Sequence, residues 1–438
     1  MVHTTVDCRH GRANSPAERR RPVRSQLPES GFLWTLVTER ARSAAGKCVM
    51  LIGENGERVT AVDAALRAEA IAASLYAAGV RAGTRVAWQL PNMVDAALIS
   101  LALARLGAVQ IPVKAGVDVD DQELPIAVTA TRPDLVLVPR VAAGTYETAS
   151  RFDSSPAARV ETVEPQTWSN GDRNILPPYT PGDWEPRWLF ARSQADGAAV
   201  TVRHTDLTLS VAGRGLVGSS RFDRLRNEVG AVMTPIAEAA GLVQLAALIA
   251  SPMPALLMQA REPAHVVGVL RQFGVRLAFG TGNVCRSLLE QQRALPRGSE
   301  LVPQLRSFVT SGRADATDVA QEMERELGIA VAHDYGRCEV PLICAGGGED
   351  IPVTRNTVIG SAIRGVSVRI TNNGVRARVG VYGDIEVSGA GLFAGYAEPR
   401  HNDAALTHDG WFRTGDRGKL THDGKLQILT VRSDRDER

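Results

Sequence analysis

The chain has 438 residues, 44% hydrophobic and 22% charged, with a formal net charge of +2 at pH 7. This composition excludes a disordered or fibrous chain, and so small a net charge argues against nucleic acid as the main partner. A chain of this length calls for two or three packed units, because single cores stop growing beyond roughly 250 to 300 residues.

Residues 1–31 are rich in Arg and Pro, with Arg19, Arg20, Arg21 and Arg24 close together, and lack the apolar run of a secretory signal. They read as a flexible tail. From Ala61 the pattern AVDAALRAEAIAASLYAAG repeats apolar residues at helical spacing and stops on Gly79. A strand is predicted at 85–90 and a second helix at 95–106. Further short strands are predicted at 134–138, 230–233, 278–280, 307–310 and 331–332, with helical segments between several of them. Such alternation predicts an α/β architecture with mainly parallel sheets. After Val358 the texture changes to short alternating segments punctuated by Gly and Asn-Gly, which predicts a smaller antiparallel β unit.

Two apolar stretches call for a membrane test. The first, 93–113, is broken by Asp95 and Arg105, and the second, 239–260, carries Pro252 and Pro254. Both read as buried helices of a globular core, with no transmembrane segment. The five cysteines, Cys8, Cys48, Cys285, Cys338 and Cys344, include no CxxC pair, which fits a reducing cytoplasm better than a disulfide framework or a zinc site. His204, His265 and His333 stand apart and read as structural.

The richest stretch is 383–416, GDIEVSGAGLFAGYAEPRHNDAALTHDGWFRTGD. Gly389, Gly391, Gly395 and Tyr396, followed by Asp409, Gly410 and Trp411 and closing on Thr414, Gly415, Asp416, resemble the adenylate-forming superfamily. That superfamily holds acyl-CoA synthetases, luciferases and peptide-synthetase adenylation domains. Upstream, Tyr335, Gly336, Arg337, Cys338, Glu339 resembles its aromatic-Gly-X-Thr-Glu element, with Cys338 in place of Thr. Residues 79–113 look like the opening sheet and helix of bacterial fatty acyl-CoA synthetases, and the likeness runs from about Leu33 to Asp434.

The resemblance implies the family's large N-terminal domain: two stacked, mainly parallel sheets with helices, plus the small antiparallel β unit. The expected division is a tail at 1–31, two α/β subdomains at 32–355, a β-rich subdomain at 356–430 and a hinge remnant at 431–438. The resemblance further implies ATP or AMP, Mg²⁺ and CoA as cofactors and a fatty acid or other carboxylic acid as substrate. Tyr335 and Gly336 would face adenine, and Glu339 would serve the chemistry by holding Mg²⁺, to which a carboxylate is suited. Asp416 and Arg432 would grip the ribose, Gly312 would border adenine and the acyl pocket, and Ser193 would belong to the phosphate loop. The family's mobile C-terminal domain, about a hundred residues, is expected to be absent or supplied by a separate chain.

The departures are concentrated. The stretch matching the phosphate loop, FARSQADGAAVTVRH at 190–204, has Ala198 at the lysine position and Asp196 beside it. The chain has only Lys47, Lys114, Lys419 and Lys425. Glu238 takes the place of a family His near the carboxylate site. Two readings follow. One is a fatty acyl-CoA synthetase-like ligase that forms an acyl-adenylate from ATP and a carboxylic acid and passes the acyl group to CoA. The other is a relative that binds AMP or an acyl group without turnover, favoured by losses at phosphate positions while adenosine positions survive.

Overall fold

The computed structural model of the chain describes residues 31–115, 123–139, 159–163, 170–182, 184–193, 199–220, 228–259, 262–311, 317–346 and 358–429. Among these residues, fourteen strands form one sheet and six a second. The larger sheet has a parallel centre. Its strands run side by side as Ala330–Arg337, Ser307–Ser311, Val275–Gly280, Val229–Val232, Ala255–Leu257 and Val49–Gly53. The smaller sheet orders Arg159–Val163, Leu135–Pro139, Arg85–Trp88, Val109–Pro112 and Pro186–Ser193 in parallel, and Ala199–Thr205 returns antiparallel on the last. Each predicted strand has a counterpart, but the one expected at 331–332 is the longer strand Ala330–Arg337 and the one at 278–280 begins at Val275.

Each apolar stretch read as a buried helix is a buried helix followed by a strand, Val109–Pro112 after the first and Ala255–Leu257 after the second. In Val94–Leu106 every residue except Arg105 is buried, and in Ala239–Ala250 all but Ala240 and Ala250 are. Among the described residues no helix is long and apolar enough to cross a membrane. Helix Ala61–Ala77 starts on Thr60, whose hydroxyl accepts from the Asp63 N–H, the usual way to satisfy a free donor at a helix start. It packs on Val94–Leu106, and Asp206–Ser220 packs on Ala239–Ala250. One continuous core joins Trp88 and Trp188 of the smaller sheet to Val232, Phe279 and Val309 of the larger.

The β-rich part continues the larger sheet. Strand Val358–Ala362 pairs with Val340–Ala345 on one side and Leu426–Ile428 on the other. Beyond it Phe412–Leu420, Gly383–Gly389 and Val366–Asn372 follow antiparallel. The Asn373-Gly374 pair turns the chain at φ 50° and 77°, the two positive values that a tight hairpin turn requires.

Three buried polar side chains pin this body together. Arg40 sends Nη1 to the carbonyls of Leu248, Ser251 and Met253 at 2.9, 2.6 and 3.0 Å, and Nη2 to that of Val49 at 3.1 Å. It thereby satisfies free carbonyls at the end of Ala239–Ala250, where a cation also meets the helix dipole favourably. Asn92, following Arg85–Trp88, donates to the carbonyls of Val232, Thr234 and Met258 and accepts from the Ile236 N–H at 2.8 Å. His204 ends its strand between the two sheets. Its Nε2–H donates to the Cys338 carbonyl at 2.6 Å, which leaves Nδ1 to accept from the Thr208 hydroxyl at 2.9 Å.

Two predictions follow from these pins. Arg40→Ala leaves these carbonyl bonds unmade and is expected to lower the unfolding free energy by about 3 kcal/mol, measured by denaturant titration. Burial holds the His204 imidazole down from 6.5 to about 4. The neutral ring's contribution is therefore complete above pH 6.5 and is lost as pH falls toward 4. The stability gap between the natural chain and His204→Gln is expected to shrink by about 3 kcal/mol over that range; an unchanged gap would contradict a neutral buried ring.

Candidate functional site

The parallel strands of both sheets end at one cleft. Val109–Pro112 is followed by Val113 and Lys114, Val229–Val232 by Thr234 and Glu238, and Val275–Gly280 by Thr281, and these residues line a cavity of about 610 Å³. Asp334, Gly336 and Cys338 complete the wall from the larger sheet. Ligands of open α/β sheets bind beyond the carboxyl ends of the strands, and this cavity lies there.

The hairpin of Ala330–Arg337 and Val340–Ala345 supplies Asp334, Arg337 and, in its turn, Glu339. A side chain at Gly336 would place its Cβ 2.2 Å from the Pro341 carbonyl oxygen, so only glycine lets the two strands approach. The turn after Arg337 carries Cys338 and Glu339. Burial pushes the Cys338 thiol up to about 12, which keeps it protonated. Glu339 is 5% exposed. Its Oε1 accepts from the Tyr396 hydroxyl at 2.8 Å and lies 3.8 Å from Arg192 Nη1. Its Oε2 is buried without a hydrogen-bond partner, 4.0 Å from Arg337 Nε.

Asp416 reaches the same place from the β-rich side. Strand Phe412–Leu420 breaks register against Gly383–Gly389 so that Thr414, Gly415 and Asp416 bulge out of the ladder, a device that re-aims a side chain. Gly415 takes φ +78° there, Thr414 anchors the bulge by donating to the Ile385 carbonyl at 2.9 Å, and the Asp416 N–H donates to Thr414 Oγ1 at 3.1 Å. Asp416 Oδ2 then accepts from the Tyr335 hydroxyl at 2.8 Å and from Arg337 Nη1 at 3.0 Å. Burial opposes charge on Arg337, but Asp416 and Glu339 outweigh it and hold the guanidinium above its ordinary value. Burial and the Asp416 carboxylate together push the Tyr335 phenol well above its usual range.

Of the residues expected from sequence, Tyr335, Gly336, Glu339 and Asp416 are brought together here. Ser193 ends its strand opposite Ala199, at the base of a hairpin whose tip, 194–198, lies outside the described residues, as do Gly312, Arg313, Arg432 and Asp434. Glu238 borders the cavity, half exposed, with Lys114 Nζ 3.7 Å away. Burial raises its carboxyl and Lys114 opposes the rise. His204 is structural, as expected. Sequence reasoning missed Arg337, which stood as the variable residue of its motif, and the role of Tyr396. It also missed Asp334 and Thr234. Asp409 and Trp411 hold the fold: Arg369 bonds Asp409 at 2.6 and 3.1 Å and lies over the Trp411 ring at 4.3 Å.

Among the described residues no group of three or more His, Cys, Asp or Glu could hold a metal by itself. Glu339 offers one buried, unpartnered oxygen, which fits a hard cation sharing its remaining positions with phosphate and water.

The model of the AMP-binding enzyme family matches residues 37–180 and 198–397. Among curated proteins the chain is similar to a 4-chlorobenzoate–CoA ligase of Arthrobacter, 26% identical over 413 residues, covering 91% of this chain and 76% of that one. It is also similar to a feruloyl-CoA synthase of Amycolatopsis, 27% identical, covering 86% and 74%. Its fold matches solved structures of apo MatB from Rhodopseudomonas palustris, with TM-score 0.78, 22% identity and 93% and 80% covered. The complex of VinN with L-aspartate gives TM-score 0.78, 20% identity and 92% and 100% covered. With most of its length matched by the family model and the α/β fold shared with these structures, the chain belongs to the AMP-binding enzyme family.

Proposed function

We propose that the protein binds an adenine nucleotide and a carboxylic acid in this one cleft, the binding half of acid activation by adenylate formation ahead of transfer to CoA. The carrying observation is the meeting of Tyr335, Arg337 and Asp416 beside Glu339. Both bonds to Asp416 fall on Oδ2; among the described residues none falls on Oδ1, which suits it to accept a ribose hydroxyl. Arg337 and Arg192 line the cavity on either side of Glu339 and would offer positive charge to an α-phosphate. Glu339 Oε2 would hold Mg²⁺, which when bound offsets phosphate charge.

The kinship with curated CoA ligases for chlorobenzoate and feruloyl substrates supports an organic acid as the second ligand. A long fatty chain calls for an apolar tunnel, whereas this wall carries Thr234, Gln244, Glu238 and Asp334. A compact, polar acid suits it better. Absence of lysine from 190–204 removes a charge of the kind worth about a hundredfold or more in rate at other preorganised sites. Slow turnover is therefore part of the proposal, with a separate chain as the source of any missing charge.

Binding of AMP should be measurable by fluorescence or calorimetric titration and fall at least about tenfold in Asp416→Ala, which removes the ribose acceptor. Tyr335→Phe should weaken it less, because Arg337 still orients the carboxylate. Equal AMP affinity in the natural chain and Asp416→Ala would overturn the assignment of the ribose site.

A further inference from the structure

Three carboxylates border the cavity among the described residues: Glu123, Glu238 and Asp334. Glu238 faces Lys114 at 3.7 Å, and Glu123 has interactions of its own. Asp334 has none. It is 8% exposed, and Oδ1 is buried with no hydrogen-bond partner. Thr234, 4% exposed across the other wall-forming loop, likewise has Oγ1 buried without a partner. A buried polar atom left unmade is costly, and such exceptions in a folded protein point to a missing ligand or a stored strain.

Backbone strain does not explain either atom. Asp334 sits in a regular strand, opposite Ser311 in the parallel direction and Ala345 in the antiparallel one. Asp334 and Gly336 both border the cavity. We propose that Asp334, with Thr234, forms a polar subsite in the cavity wall that takes an amine carried by the carboxylic acid substrate at a distance from its carboxyl group. The proposal rests on reading the cleft as an acid-activating site and names the substrate class of that site.

Charge favours an amine over other hydrogen-bond donors. Desolvation alone raises the Asp334 carboxyl to about 7, so an arriving ammonium supplies the counter-charge that the protein itself withholds. A hydrocarbon at the same place leaves both acceptors unsatisfied. Sites built around a buried polar group discriminate strongly against an analogue lacking the complementary group. The second carboxylate of a diacid gains less, since an acid would meet an acid.

The test uses the full chain with AMP present and matched pairs in which an ammonium replaces a methyl: β-alanine against butanoate, γ-aminobutanoate against pentanoate, and para-aminomethylbenzoate against para-ethylbenzoate. Affinities are read by calorimetry or by thermal shift. At least one amine should bind about tenfold or more tighter than its partner. Asp334→Leu should erase or reverse that ratio, and Thr234→Val, which keeps the shape, should reduce it. Equal or tighter binding of every apolar partner, binding of neither member of any pair, or an unchanged ratio in Asp334→Leu would overturn the inference. A preference for the β-hydroxy acid over β-alanine would overturn the amine assignment. AMP affinity in the same samples separates the two levels: AMP binding without amine preference sinks only this inference, and no AMP binding by the natural chain sinks the functional reading.

Discussion

Burying His204 between two sheets requires a partner for each ring nitrogen, and the Cys338 carbonyl, 2.6 Å away, answers one of them. That bond ties the end of the smaller sheet to the turn that carries Glu339. Asn92 does the same for the loop after Val229–Val232, using its amide to satisfy three carbonyls and one N–H. The cleft wall is thus fixed by groups that have no water to turn to. A side chain that failed to pair there would cost more than an apolar one in the same space, so the seam tolerates few arrangements, and the site inherits that rigidity.

Within the cleft, electrostatics decides the geometry. Glu339 and Asp416 come from different parts of the chain and would repel at short range; Arg337, between them, makes their approach favourable. Tyr335 and Tyr396 each donate to one of the two carboxylates, so every strong contact leaves one oxygen of the pair to spare. Glu339 Oε2 is such an oxygen, buried and unmatched. Asp334 adds a second unmatched acceptor, in the cavity wall. A binding cleft with a charged mouth and an unsatisfied wall is consistent with a ligand that is anionic at one end and a donor at the other.

Much of the scaffold was legible in the sequence because it rests on local rules. Helices Ala61–Ala77 and Val94–Leu106 follow the apolar period, and the Asn373-Gly374 hairpin follows turn chemistry. That Tyr335, Glu339 and Asp416 belong to one site was an expectation of the family motifs; the Tyr335–Asp416 bond was not. Arg337 was not, since its place in the motif carries no fixed residue type and its value comes from a bulge some eighty residues later that aims Asp416 at it. Asp334 and Thr234 were equally hidden: in sequence each is one polar residue in or just after a strand, and only the packed structure shows a buried oxygen on each with no partner among the described residues. The β-rich part, read as a smaller unit, is joined edge to edge to the main sheet through Val358–Ala362, a pairing set by tertiary contact and not by local pattern.

The central claim is that one cleft holds an acid and a nucleotide side by side. Calorimetric titration of the full chain with non-hydrolysable acyl-sulfamoyl adenosines tests it most directly, because such a molecule binds well only where both halves have adjoining sites. The account predicts one analogue bound per chain, displaced by AMP, with an affinity well above that of AMP or the free acid. Affinity no better than that of AMP alone, or no heat of binding at all, would contradict it.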